Sequence, residues 1–502
     1  MQYITATKLY DYLQCPHKVW RDAHGPQEEK IKEVNPFVQM LWDRGIAHEK
    51  EIVARLGELR DLKEAGSHEE RFKKTLQAIK DGVDLIYQGI LIHEDHLGIP
   101  DLLQKMPDGK YVPVDIKSGM AKEGIDNENG SGGKLKDHYA LQLCFYVDLL
   151  KRLDISNTGK GVIIDARGNR EEYDLDSLRG IQDRRTWWEF FDQCINNVKV
   201  LLANEDRNKP AMSGKCKLCP WYNSCKTWCK ENGDLTCLFY VGRSQRDKME
   251  QELGVSEISN AIDLDVGEIL AQKKKDKNFL KGVGKSTLEK TVRRARIMSQ
   301  TKKPVAHKKI EFPEVSVELF FDIEDDPTQE FVYMHGVWER KGEKERFLHF
   351  TAKEKISEAE EKAWADFWQY IRSLPKDDFA VYYYSSHEKT TYRKMQKLYP
   401  DVVSAEEVED FFANPNVIDL YRIVSKFTDW PLGSYSLKDI AQYLGFSWRD
   451  ETPSGALSIE WFNKYLETGD EKILERILLY NEDDCKATMV LKDGIEKLSK
   501  DV

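Results

Sequence analysis

At 502 residues the chain is too long for one ordinary hydrophobic core, so two or three domains are expected. Hydrophobic residues at 40% and charged residues at 32% describe a heavily solvated globular protein, and neither MQYITATKLYDYL at the start nor any later apolar run has the character of a leader or a membrane span. A cytoplasmic location is expected, and a net charge of −11 speaks against a surface coated uniformly with cationic groups.

Residues 1–235 mix amphipathic helices with short strands, predicted over Ile86–Ile92 and Tyr111–Lys117, and Asp126–Gly133 (DNENGSGG) has the composition of a mobile loop. In a reducing compartment the nine cysteines do not make a disulfide framework. Cys144, Cys194 and Cys485 sit in apolar or mixed helical patterns and read as buried residues, whereas Cys216, Cys219, Cys225 and Cys229 crowd into fourteen residues. Residues 236–305 are predicted wholly helical, with glycine turns at Leu253-Gly254-Val255 and Gly282-Val283-Gly284. From residue 306 to 502 strands return in SVELFFDIE, FVYMHGVWE and DFAVYYYSS, alternating with helices in an α/β order.

The strand Tyr111–Lys117 carries Asp115 and Lys117 two residues apart, hence on one face. Asp101, fourteen residues upstream, ends an apolar run through Gly98-Ile99-Pro100. Two carboxylates meeting at strand ends can hold a hard cation such as Mg²⁺, which polarises a phosphate, while Lys117 stabilises developing charge. His48 lies upstream in a helical stretch, and Gln142 and Tyr146 stand one turn apart on a later helix. The ordered set His48, Asp101, Asp115-x-Lys117, Gln142-x-x-x-Tyr146 resembles the RecB-like branch of the PD-(D/E)xK nucleases. The likeness is especially to its iron–sulfur members, the CRISPR-associated adaptation nucleases and the AddB-type helicase–nuclease subunits. It implies a restriction-endonuclease-like fold in which His48, Asp101 and Asp115 bind the metal and Lys117 is the catalytic lysine. Gln142 and Tyr146 would shape the site and contact nucleic acid. Asp115 stands where the family usually has Glu, and either carboxylate can ligate.

Four thiolates hold either Zn²⁺ or an iron–sulfur cluster, and bonding alone does not separate the two. A local zinc site from Cys216, Cys219, Cys225 and Cys229 is one assignment. The family resemblance implies the other, a [4Fe–4S] cluster in which the early Cys15 joins Cys216, Cys219 and Cys225 and ties the start of the domain to its end.

Between Gln272 and Lys303 nine Lys and three Arg face only Asp276 and Glu289, a net of +10 in an acidic chain. Leu280-Lys281-Gly282-Val283-Gly284-Lys285, followed by a helical stretch, resembles a helix-hairpin-helix motif, with Gly254 marking a degenerate second copy. Gly282 and Gly284 would let backbone N–H groups approach a phosphate at the helix N-terminus, with Lys281, Lys285, Arg293 and Arg294 supplying charge. A plain helical linker is the competing reading.

Asp322 and Glu324 alternate in the apolar strand LFFDIE, and burying two like charges side by side is costly unless a cation neutralises them. Near the C-terminus Tyr480 and Asp484 stand one above the other on a helix, so a phenol and a carboxylate can serve the same centre. This arrangement resembles the DEDD exonucleases of the ribonuclease H-like superfamily, in the subclass whose last element reads Y-x-x-x-D. The resemblance assigns metal binding to Asp322, Glu324 and Asp484 and the second acidic element to Glu388, where Asp is usual. Asp419 takes a supporting place.

The whole order resembles a family of bacterial RecB-like nucleases of composite architecture: 1–235 nuclease with cysteine cluster, 236–305 helical and basic, 306–502 ribonuclease H-like. It implies a Mg²⁺- or Mn²⁺-dependent nuclease with two active sites, the second working 3′ to 5′, and DNA rather than RNA as substrate because the first-domain relatives are DNA nucleases. The alternative from another class is a nucleic-acid-binding adaptor in which one site has decayed and the cluster is scaffold. Partner proteins are not legible.

Overall fold

The computed structural model describes residues 3–123, 133–180, 183–203, 208–327 and 329–500, so the loop expected over Asp126–Gly133 lies outside them except for Gly133. The chain divides into two compact units, Met1–Pro210 with Gly214–Ser224, and Ala211–Ser213 with Cys225–Val502. None of the described helices is long and apolar enough to cross a membrane.

The first unit is built on a sheet of six strands: β1 (Arg60–Asp61), β2 (Leu85–Tyr87), β3 (Leu102–Lys105), β4 (Tyr111–Ile116), β5 (Lys160–Ile164) and β6 (Arg170–Asp174), paired in that order. β4 is antiparallel to β3 and parallel to β5, and every residue of YVPVDI is buried, as a central strand covered on both faces requires. Pro113 is tolerated because pairing with β5 begins only at Val114, so its missing N–H deprives no ladder bond there. Around the sheet lie α1 (Ala6–Gln14), α2 (Pro36–Arg55), α3 (Asp137–Arg152) and α4 (Trp187–Ala203). α3 is apolar around most of its circumference, from Tyr139 to Leu150, and becomes the central helix of the core. The strand predicted over Ile86–Ile92 is broken instead: β2 stops at Tyr87, Gln88 turns to φ 53°, and Leu91–His93 forms a separate hairpin with His96–Gly98.

The second unit opens with the helical middle, whose α5 (Arg243–Leu253), α6 (Val266–Lys275) and α7 (Lys285–Arg296) enclose a small core that includes Leu235, Leu238, Met249, Ile269, Val283 and Leu288. The division near residue 224 precedes the boundary expected at 235 because Leu235 and Leu238 already belong to this core. The helices are not a detached linker. Phe239 stacks on Tyr435 at 3.9 Å between centroids, and α7 is pinned through Asp429.

The mixed sheet that follows runs β9 (Lys344–Thr351), β8 (Phe331–Lys341), β7 (Val317–Asp326), β10 (Phe379–Tyr383) and β11 (Val417–Asp419). The first three strands are antiparallel, and β7, β10 and β11 run parallel. The alternation of β7 sends Leu319, Phe321 and Ile323 to a core shared with α8 (Ser357–Arg372) and α9 (His387–Leu398). Phe320, Asp322 and Glu324 share the opposite face, toward α10 (Leu437–Tyr443), α11 (Gly455–Thr468) and the 29-residue α12 (Glu471–Ser499). Gly336, paired with Asp322 across β7 and β8, lets α12 come close: a methyl there would fall 1.6 Å from Asn481 Oδ1.

Candidate active sites

In the first unit the ends of β3 and β4 bring two aspartates together. The Asp101 N–H donates to Asp115 Oδ1 at 3.2 Å, and the Ile116 N–H donates to Asp101 Oδ2 at 2.8 Å. Lys117, just past β4, holds its ammonium 2.8 Å from Asp115 Oδ2. Burial and the neighbouring Asp115 push Asp101 up to about 7. Burial works against the charge of Lys117, yet Asp115 and Asp101 hold it above the usual lysine range.

Three residues with no motif of their own, Gln88, Glu49 and Tyr87, complete this centre. Gln88 Nε2 donates to Asp101 Oδ1 at 3.1 Å and to Glu49 Oε1 at 2.8 Å, and Tyr87 Oη donates to the same Glu49 oxygen at 2.7 Å. The break in the predicted strand is thus what turns Gln88 toward Asp101, whose carbonyl also accepts from the Gln88 N–H at 2.8 Å.

His48, expected as third metal ligand, has Nε2 3.1 Å from the Asp165 carbonyl oxygen. Its neighbour Glu49 is the helix residue linked to the aspartates. Tyr146, expected to touch nucleic acid, is buried; it accepts from Gln142 Nε2 at 3.0 Å and donates to the Ile99 carbonyl at 3.2 Å, bracing the loop before Asp101.

The second unit gathers Asp322, Glu324 and Asp484 so that one carboxylate oxygen from each lies within 4.8 Å of the others. Asp322 and Glu324 leave the same face of β7, and Asp484 comes from α12 one turn beyond Tyr480. Burial and mutual repulsion push Asp322 well above the carboxylate range and Glu324 up to about 8; burial also raises Asp484. Glu388 on α9, buried and near enough for its charge to act on Asp322, is pushed up to about 8 by burial, and its Oε2 has no hydrogen-bond partner among the described residues. An all-oxygen set of mutually repelling carboxylates, all but Asp322 buried and one with an orphaned oxygen, fits a hard divalent cation.

Side chains invisible to motif reading hold this set in place. Asn481 Nδ2 donates to Asp322 Oδ2 at 2.9 Å and lies 3.4 Å from Glu324 Oε1. Trp448 Nε1 donates to Asp484 Oδ1 at 2.7 Å, and Tyr333 Oη, 2.8 Å from Ser458 Oγ, reaches Glu324 Oε2 at 3.3 Å. Asp419 caps the helix Leu420–Phe427, accepting from the Arg422 N–H at 3.3 Å.

In the helical middle Lys281, Gly282, Gly284 and Lys285 are exposed, Gly282 has φ 90°, and Gly284 is the N-cap of α7. Arg294 is corrected: only 2% exposed, it donates from Nε to Asp429 Oδ1 at 2.7 Å and from Nη1 to the Phe239 carbonyl at 2.7 Å. Arg293 and His307 meet the other Asp429 oxygen at 2.9 and 2.8 Å, so two of the twelve cations of this stretch, Arg293 and Arg294, compensate one buried aspartate. Among the cysteines of the first unit, burial raises the Cys219 thiol, a backbone hydrogen bond at Trp221 opposes it, and nearby Cys15 and Cys216 add to the rise.

The two domains have the folds of hydrolases that act on nucleic acid. Residues 14–226 match the family model of the PD-(D/E)XK nuclease superfamily, and residues 319–495 match that of the RNase H superfamily. The chain therefore joins a PD-(D/E)XK nuclease domain to an RNase H-like domain, and both domains support a metal-dependent nuclease with nucleic acid as substrate. No curated protein matches the chain.

Proposed function

We propose that the chain is a DNA nuclease with two active sites, each served by Mg²⁺ or Mn²⁺, the second a 3′ to 5′ exonuclease of the Y-x-x-x-D kind. The observation that carries this reading is the convergence of Asp322, Glu324 and Asp484, the last two buried and Asp322 partly exposed, with Tyr480 one turn away. Asp322, Glu324 and Asp484 would hold the cation, with Glu388 beside them and Asn481 fixing the two β7 carboxylates. A bound cation supplies charge neutralisation and polarisation of the phosphodiester. In the first unit Asp101 and Asp115 would ligate, with Lys117 offsetting charge as the phosphate is attacked. DNA is preferred over RNA on the first domain's resemblance.

A [4Fe–4S] cluster on Cys15, Cys216, Cys219 and Cys225 belongs to this reading. It is supported by the spacing of those four residues, while Cys229 is fully buried.

The test is digestion of 5′-labelled DNA and RNA by separately inactivated proteins. Asp115→Asn is expected to keep a 3′ to 5′ ladder, Asp322→Ala to lose the ladder but keep other fragments, and the double variant to be inert. Loss of all cleavage in Asp115→Asn alone would reduce the C-terminal domain to a binding module. Cleavage of RNA and not DNA would reassign the substrate.

A further inference from the structure

Lys438, in the first turn of α10, points a cation into the acidic centre of the second unit. Its ammonium lies 2.6 Å from Tyr480 Oη and 3.8 Å from Asp484 Oδ1, with 30% of its side chain exposed. It also lies 4.7 Å from the centroid of the Tyr480 ring and 5.7 Å from that of Trp448, the residue that holds Asp484. An ammonium has three donors and no acceptor, so Lys438 donates in the 2.6 Å bond and the phenol oxygen accepts. The proton of Tyr480 is then left to be given elsewhere, and the carboxylate within its reach is Asp484, one turn along α12.

We infer that Lys438 is a positioning residue of the second site, one that fixes the Tyr480 hydroxyl so that its own proton is aimed into the carboxylate cleft. The inference rests on reading this site as a metal-dependent phosphodiesterase. It makes Lys438 act through Tyr480, with no share in holding the cation: a positive charge 3.8 Å from Asp484 opposes metal binding.

The experiment uses the full chain carrying Asp115→Asn, so that trimming reports the second site. Steady-state trimming of a 5′-labelled single strand and calorimetric Mn²⁺ affinity are measured for Lys438→Met, Lys438→Arg, Tyr480→Phe and the double variant Lys438→Met/Tyr480→Phe. Lys438→Met is expected to lower kcat by about 10–100-fold, the usual loss for a group that orients a site. KM should stay within about twofold, since no contact with substrate is removed. Lys438→Arg, which keeps the charge and a donor, should recover part of kcat. The double variant should be no slower than Tyr480→Phe, because two residues acting as one unit are not additive. Mn²⁺ should bind Lys438→Met at least as tightly as the parent.

Three results would overturn the inference: losses that multiply in the double variant, a rise in KM with kcat unchanged, or weakened Mn²⁺ binding in Lys438→Met. If Lys438→Met does not fold, Lys438→Arg with parental KM, parental Mn²⁺ affinity and a reduced kcat supports the inference, and Lys438→Arg with a raised KM overturns it. A parent that neither trims nor binds Mn²⁺ would instead remove the proposed function, and this inference with it.

Discussion

The two acidic centres solve the problem of buried carboxylates in opposite ways. Around Asp115 the protein supplies its own neutralisation: backbone N–H groups of Asp101 and Ile116, the Gln88 amide and the Lys117 ammonium all point at the two aspartates. Around Asp322 three carboxylates converge with one amide, one indole and a more distant lysine, and the result is mutual repulsion. β4 with the residue after it and β7 each present two charged residues two apart, yet D-x-K pairs its carboxylate with a lysine, whereas D-x-E leaves repulsion that a divalent cation or bound protons must relieve.

The largest expected effect comes from neutralising one carboxylate at each centre. Asp322→Asn should reduce trimming at the second site to background and raise the thermal stability of the metal-free protein, since it removes a repelling charge. Asp115→Asn should do the reverse to stability, costing on the order of 3 kcal/mol. That is the low end for a broken buried pair, because Lys117 keeps 21% of its side chain in solvent. Calorimetry of both variants in EDTA checks the contrast, and shifts of the same sign would erase it.

Next in size is Gly336→Ala. The added methyl would meet Asn481 Oδ1, so either Asn481 leaves Asp322 or α12 moves. An overpacking cost of about 1–3 kcal/mol is expected, with a loss of second-site activity of about 10–100-fold as the ligand-orienting amide is displaced. Parental trimming by a folded Gly336→Ala protein would show that Asn481 does not orient the site.

The pH dependence is smaller and reports both centres. Folding raises Glu324 and Glu388 to about 8 and Asp101 to about 7, so the folded chain binds more protons than the unfolded one above the ordinary carboxylate range of about 4. Their contribution to metal-free stability is complete below that range and is lost as pH rises through about 8. The melting temperature in EDTA should therefore fall toward alkaline pH, and Mn²⁺ should restore more of it at high pH than at low. A metal-free melting temperature that climbs over this window would mean that the carboxylates are already compensated.

How much of this was legible in the sequence follows from what spacing encodes. Asp322-x-Glu324 and Tyr480-x-x-x-Asp484 carry their geometry in the periods of a strand and a helix, and the structure joins three of those four in one carboxylate group. Gly336, Asn481, Trp448 and Lys438 were not legible, because each matters only after α10 and α12 have packed on the sheet and no spacing rule spans that packing. β9, KERFLHFT, escaped notice as a half-exposed strand without clear alternation. Arg294 was misread because charge density says nothing of which helix face is buried, and α7 turns Leu288, Thr291, Val292, Arg294 and Ala295 inward together.

The smallest expected effect lies in the basic helical middle. With Arg294 removed from the phosphate-facing set, Lys281→Ala/Lys285→Ala should weaken binding to unrelated oligonucleotides about equally. The slope of log affinity against log salt should shrink by about 0.9 for each lost phosphate contact. An unchanged slope would return α6 and α7 to a purely structural role.

The contrast between the two centres is most directly tested by diffraction from crystals soaked in Mn²⁺. An anomalous peak is expected among the carboxylates of Asp322, Glu324 and Asp484, stronger than any at Asp101 and Asp115, where Lys117 competes for the same charge. A peak confined to Asp101 and Asp115, with the Asp322 cluster left empty, would contradict the account.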